Sequence, residues 1–206
     1  MNEPQLIEAT SASGPVHALY HAPAADGPVV VMVGGFDGGF DGPADGIHQV
    51  LALDLAPHGI GALRVDFRDH RSPGVVRNGV TDVRAAMASI HRRGVHHFAL
   101  LGHSFGAAVM IAVAAEEPLA VAVIGLSTQT AGTQAAARIS PRPLLLIHGS
   151  DDIRLSPNCS RHVYSIAGEP KQLVLLEGAR HSLRQRKNDL RKLLDEWLVE
   201  SLTEYL

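Results

Sequence analysis

Cysteine is almost missing from this chain: Cys159 is the only one in 206 residues, so no internal disulfide can form. That usage fits a reducing compartment, and the expectation is a cytoplasmic protein. Tryptophan is equally scarce, with Trp197 alone, and aromatic residues make up 4% of the chain. A deep aromatic-walled pocket is therefore not expected. Charge of one sign is also lacking, since 18 basic and 21 acidic residues leave a net charge of −3. No electrostatic footprint for nucleic acid follows from that balance. The N-terminus Met1-Asn2-Glu3-Pro4-Gln5 shows no basic stretch ahead of an apolar core, so no signal peptide is read there. Apolar runs stay well below the roughly 18 residues of a membrane span, so no membrane partner is expected.

What the chain has is alternation. The length suits one domain, read as residues 1–206, because single cores extend comfortably to about 250 residues. Strand-like apolar runs occur at Val29–Val33, Gly61–Phe67, His97–Leu101, Val121–Gly125, Pro143–His148 and Gln172–Leu176. Helix-like segments lie between them: Ile47–Pro57 with a stop at His58-Gly59, Asn78–Arg93 with Asn78 or Thr81 as cap, and Ala107–Ala115 ending near Pro118. A last segment, Asp189–Leu206, spaces Leu190, Leu193, Leu194, Trp197, Leu198, Leu202 and Tyr205 at three and four residues, the pattern of a helix docking one face. Trp197 is read as a core anchor. Continuous apolar strands alternating with helices predict an α/β fold, with a mostly parallel central sheet of about six to eight strands covered on both faces. Ligands of such sheets gather at the carboxyl ends of the strands.

The chemistry concentrates at those ends. Gly102-His103-Ser104-Phe105-Gly106 follows one strand and opens a helix. A serine on so sharp a turn needs a strained backbone, and flanking glycines make the turn sterically possible. Its hydroxyl is a poor nucleophile without a base, and the base needs an orienting acid. Two later strands run into suitable residues, one into His148-Gly149-Ser150-Asp151-Asp152 and the other into Gly178-Ala179-Arg180-His181. Ser, Asp and His thus each follow a strand of their own.

These motifs resemble those of the α/β-hydrolases over nearly the whole chain. The G-x-S-x-G turn matches at Ser104, H-G-x-x-D at His148–Asp152 and G-x-x-H at Gly178–His181. The resemblance implies Ser104 as nucleophile, Asp152 rather than Asp151 as acid, and His181 as base. It also implies an oxyanion hole built from the backbone N–H groups of Phe105 and, after the first central strand, of Phe36. The family usually shows His-Gly-x there, whereas this chain has Gly34-Gly35-Phe36, which keeps the main-chain donor but leaves the loop's rigidity unassured. Gly35 and His103 are expected beside the substrate. The run Arg64–Gly74 resembles the family's D-x-R-G-x-G-x-S loop, with Asp69 and Arg71 in place of glycines, and an Asp66–Arg68 salt bridge is expected to tie it.

Other features are read as structural. Phe36–Gly46 spaces its acids every four residues and has no Lys-Ser/Thr after its glycines, so it is neither a calcium loop nor a phosphate loop. Twelve histidines form no H-E-x-x-H, and no metal or other cofactor is expected. His91, His96 and His97 are read as polar surface, Asp151 as solvent-facing, and Cys159 as a helix residue rather than a nucleophile.

Only a short connection fits between Gly125 and Pro143, with at most one short helix near Gln134–Ile139, so no cap domain is expected. The chain thus resembles small capless members such as dienelactone-hydrolase-like proteins, but with serine where that subgroup often has cysteine. The expected function is hydrolysis of carboxylic ester or thioester bonds of small or short-chain acyl substrates, by a monomer or small homo-oligomer. Arg68, Arg71, Arg154 and Arg180 are candidates for favouring an anionic substrate. Two alternatives from other classes are a non-catalytic binding or scaffold protein on a hydrolase fold, and an acyltransferase or lyase using the same three residues.

Overall fold

A computed structural model describes residues 3–12, 14–24, 26–36, 38–68 and 76–206. Its described strands form one sheet of eight: β1 (Gln5–Ser11), β2 (Gly14–His21), β3 (Val29–Val33), β4 (Gly61–Asp66), β5 (Phe98–His103), β6 (Ala120–Leu126), β7 (Leu144–Gly149) and β8 (Lys171–Leu176). They lie in the order β1-β2-β4-β3-β5-β6-β7-β8. Pairing is parallel from β4 to β8 and antiparallel only where β1 meets β2 and β2 meets β4. The mostly parallel α/β sheet expected from the sequence is present.

Each central strand feeds two cores. In β3, Val29, Val31 and Val33 point to one face, and Val30 and Met32 to the other. The same two-residue alternation recurs at Phe98 and Leu100 against Ala99 and Leu101, and at Leu144 and Leu146 against Leu145 and Ile147. Both faces are buried, so these strands are apolar throughout, and each large side chain contributes about 1.5–3 kcal/mol of burial. Helices α2 (Val76–His91), α3 (Phe105–Ala114) and α4 (Asn158–Ile166) cover the first face. Helices α1 (Pro43–Asp54) and α5 (Lys187–Leu202) cover the second, and Trp197 packs half-buried against that core.

The predicted boundaries shift for local reasons. Ala44, Asp45 and Gly46 at the start of α1 have left-handed backbone, so regular helix begins at Ile47. Helix α2 starts at Val76, and Thr81 is not its cap: it lies inside the helix, where its hydroxyl donates to the Arg77 carbonyl. The connection from β6 to β7 holds only a 3-10 turn over Gln134–Arg138, and no cap is inserted there. Among the described residues no helix is long and apolar enough to cross a membrane.

Candidate active site

Ser104 stands between β5 and α3 with φ 56° and ψ −116°, a left-handed backbone that a serine adopts only under constraint. The constraint comes from its glycines. A Cβ on Gly102 would lie 2.3 Å from the Gly106 carbonyl oxygen, and one on Gly106 would lie 2.2 Å from that of Gly34. Only bare backbone fits, so the turn is pressed against the end of β3. The Ser104 N–H donates to the Leu126 carbonyl at 2.8 Å, which continues the ladder to β6.

Asp152 and His181 reach this point from β7 and β8. His181 Nε2 is 3.0 Å from Ser104 Oγ, and His181 Nδ1 is 2.7 Å from Asp152 Oδ2. Asp152 is buried, and its other oxygen accepts the N–H groups of Arg154 at 2.9 Å and Leu155 at 3.0 Å. Burial alone would raise the Asp152 pKa, but hydrogen bonds from Leu155, His181 and Arg154 outweigh it and hold the carboxyl below its ordinary range. An ionised acid is thereby kept against the imidazole that faces Ser104. Asp151 points away from this chain: it is exposed and accepts the Ser150 hydroxyl at 2.7 Å.

Of the two expected oxyanion donors, Phe105 directly follows Ser104 and Phe36 borders the same pocket. Phe105 is the first residue of α3, so its N–H has no partner within the helix. Its ring is in the core, edge-on to Phe67 with centroids 5.8 Å apart. Phe36 follows Gly35 in a turn closed by the Gly38 N–H on the Gly35 carbonyl at 3.2 Å, and that bond does not use the Phe36 N–H. The loop is braced without the family's histidine. Gly39 N–H donates to Asp66 at 2.6 Å, Arg64 pairs with Asp41 at 3.2 Å, and Ala44 N–H donates to the Ser182 carbonyl at 2.9 Å beside His181.

Gly35 and His103 both border the site. His103 is also tied to the base, because its Nε2–H donates to the His181 carbonyl at 3.0 Å. Burial holds that ring neutral, its pKa pushed down to about 4.

The pocket, of about 650 Å³, is lined by Gly34, Gly35 and Phe36, by His103, Ser104, Asp152 and His181, and by a rim containing Ile153, Arg154, Arg180 and Arg184. Phe36 is its one Phe, Tyr or Trp among the described residues. Ile153 is 95% exposed at the mouth. Arg184 is engaged by Asp45, whereas Arg154 and Arg180 have no ion-pair partner among the described residues.

Two expectations need correction. Asp66 and Arg68 do not pair: Asp66 holds Gly39, and the Arg68 guanidinium is bound to the buried Asp82 of α2. The fully buried Asp82 carboxylate has a stronger claim on the guanidinium than the half-buried Asp66, which already accepts the Gly39 N–H. Arg68 consequently does not border the pocket, and Arg71, with Asp69, lies outside the described residues, as does Asp37 of the Phe36–Gly46 segment. Sequence reasoning also passed over Ile153, Arg184, Asp45 and Ser182. Nothing in their local pattern marks them, although Ile153 and Arg154 directly follow the acid. Cys159 sits half-buried on α4, and the His91 and His96 rings pack edge-on against each other.

No family model matches the chain. Over 56 residues it is 41% identical to the uncharacterized protein YfhR of Escherichia coli K12, a match covering 27% of this chain and 20% of YfhR. Whole-chain similarity is structural. A dienelactone hydrolase from Anabaena variabilis superposes with a TM-score of 0.80 at 17% identity, over 98% of this chain and 100% of that one. The chain has the α/β-hydrolase fold. Another protein of this fold, XC6422 from Xanthomonas campestris, is described as a serine hydrolase without lid. It matches with a TM-score of 0.73 at 22% identity, over 98% of this chain and 96% of its own. The α/β-hydrolase fold here is likewise capless, with Ser104, Asp152 and His181 at the strand ends where ligands of parallel sheets gather.

Proposed function

We propose that this protein is a serine hydrolase that cleaves carboxylic ester or thioester bonds of small or short-chain acyl substrates through an acyl-enzyme. The observation that carries the reading is the unbroken chain from Ser104 Oγ to His181 Nε2 at 3.0 Å, and from His181 Nδ1 to the Asp152 carboxylate at 2.7 Å. His181 Nε2 takes the Ser104 proton as Oγ bonds to the acyl carbon. The oxygen that becomes negative is met by the N–H groups of Phe36 and Phe105. His181 passes its proton to the departing alcohol or thiol as the acyl bond breaks. A water molecule then gives a proton to His181 and its oxygen to the acyl carbon, and Ser104 recovers its proton as the acid leaves. Asp152 orients the imidazole and stabilises it while charged. The open pocket and its single phenylalanine favour a short acyl group.

Covalent labelling by a fluorophosphonate probe, together with turnover of an activated acetyl ester, tests this reading. Both are expected in the parent and lost in Ser104→Ala. Retention of most turnover in Ser104→Ala would sink it.

A further inference from the structure

The carboxylate of Asp152 is shared between two imidazoles. Its Oδ2 accepts from His181 Nδ1 at 2.7 Å and also from His148 Nε2 at 3.1 Å. With Arg154 and Leu155 on Oδ1, four N–H donors occupy about four acceptor positions. His148 is completely buried, and its surroundings fix its tautomer. Nε2 faces two acceptors, Asp152 Oδ2 and the Leu155 carbonyl at 3.0 Å, so it carries the proton. Nδ1 is therefore an acceptor, and it lies 2.7 Å from Oγ of the buried Ser160, whose hydroxyl donates to it. Burial also favours the neutral ring, pushing the His148 pKa down.

We infer that His148, held in one tautomer by the acceptors at its Nε2 and the Ser160 hydroxyl at its Nδ1, is a positioning residue: by donating to the oxygen that His181 uses, it limits the charge Asp152 offers the base and so sets the pH at which His181 is free to take the Ser104 proton. A carboxylate stabilised by more donors is less basic, and it stabilises a neighbouring imidazolium less. Without the His148 N–H, Asp152 acts more strongly on His181, and the charged imidazole persists to higher pH. The groups around His148 are Asp152, Ser160 and the Leu155 carbonyl; those around His181 are Asp152, Ser104 and the His103 ring, whose centroid is 4.9 Å away. Arg154 and Arg180 border the same pocket, where Asp45 is already engaged by Arg184 and Lys187.

The role of His148 in turnover rests on the hydrolase reading, but its effect on His181 is measurable without substrate. Ring-nitrogen NMR titration would follow His181 in the parent, His148→Phe, His148→Gln and Ser160→Ala. In His148→Phe the midpoint is expected to rise by about half a unit to one unit, because only part of the effect of one hydrogen bond to the carboxylate is passed on to the imidazole. His148→Gln, whose amide can donate to the same oxygen, returns it toward the parent, and Ser160→Ala raises it by less than His148→Phe. The acid limb of kcat/KM moves with the midpoint. An unmoved midpoint in folded His148→Phe, or equal shifts in His148→Phe and His148→Gln, overturns the proposal. If His148→Phe does not fold, an unmoved midpoint in Ser160→Ala overturns it. A parent with no turnover would defeat the hydrolase reading while leaving the midpoints readable.

Discussion

The α-carbon of Gly106 faces the carbonyl oxygen of Gly34 so closely that a Cβ there would stand 2.2 Å away. The turn that presents Ser104 is thus seated directly on the strand end that leads to Phe36. Gly106→Ala must separate the two. We expect it to destabilise the fold by about 2–4 kcal/mol, read from urea midpoints. In whatever folds, kcat should fall more than KM changes, because on the proposed mechanism the Phe36 N–H moves away from the oxygen it is assigned to stabilise. Unchanged kcat in a folded Gly106→Ala variant would contradict this account of the donor.

Asp152→Asn should lower kcat by about 10³–10⁴-fold on an activated ester, since an amide can no longer accept from His181 while keeping its bonds to Arg154 and Leu155. The substitution also has a stability signature. The Asp152 carboxyl is held below its ordinary range in the fold, burial being outweighed by its hydrogen bonds. Its contribution is present above the unfolded value of about 3.9 and is lost as pH falls through the folded one. Acid unfolding below about pH 4 should therefore be less steep in Asp152→Asn than in the parent.

His48 carries a dependence of the same sign in a higher pH window. It is fully buried beneath Gly42, and burial first, then the neighbouring His103, pushes its pKa down to about 3. The unfolded chain binds a proton near pH 6.5 that the folded chain refuses. Stability is fully present above that value and falls with pH by up to about 1.4 kcal/mol per unit. Between pH 7.5 and pH 5, the urea midpoint of the parent should drop more than that of His48→Leu. Parallel losses in the two proteins would show that the ring is already charged in the fold.

The rim arginines supply a test of substrate choice. Arg154 and Arg180 have no ion-pair partner among the described residues, and both border the pocket. Replacing either by glutamine should raise KM for esters with a carboxylate on the acyl or alcohol side by several-fold, and leave neutral esters of the same size unchanged. Added salt should produce the same split in the parent. Equal effects on charged and neutral esters would remove the arginines from substrate selection.

How far the sequence disclosed this molecule depended on whether the deciding contact was local. Val29–Val33 is legible as a strand because both of its faces are buried. The β1–β2 hairpin escaped notice because Gln5–Ser11 alternates and mostly faces water, with Leu6 exposed and only Ile7, Ala9 and Ser11 turned inward. Ser104, Asp152 and His181 each follow a strand within a short glycine-bearing motif, so their convergence follows from the fold. Arg68 was misassigned because its partner Asp82 arrives on the far side of the loop, on α2. The link from His148 to Ser160 was hidden for a similar reason, since it is helix α4, folding back past the ring, that brings the hydroxyl to Nδ1.

Arg154 serves the site twice, through separable parts. Its main-chain N–H holds Asp152, and its side chain stands at the pocket mouth. Nearly every amino acid supplies the first contribution equally well, so position 154 can be exchanged freely while the acid stays fixed. The same holds at position 180, whose main chain leads into His181 while its side chain borders the mouth. On the proposed function, substrate selectivity is thus a layer that can drift, or be redesigned, without touching the reaction beneath it. Proline is the exception at 154, because it alone brings no N–H and would change both at once.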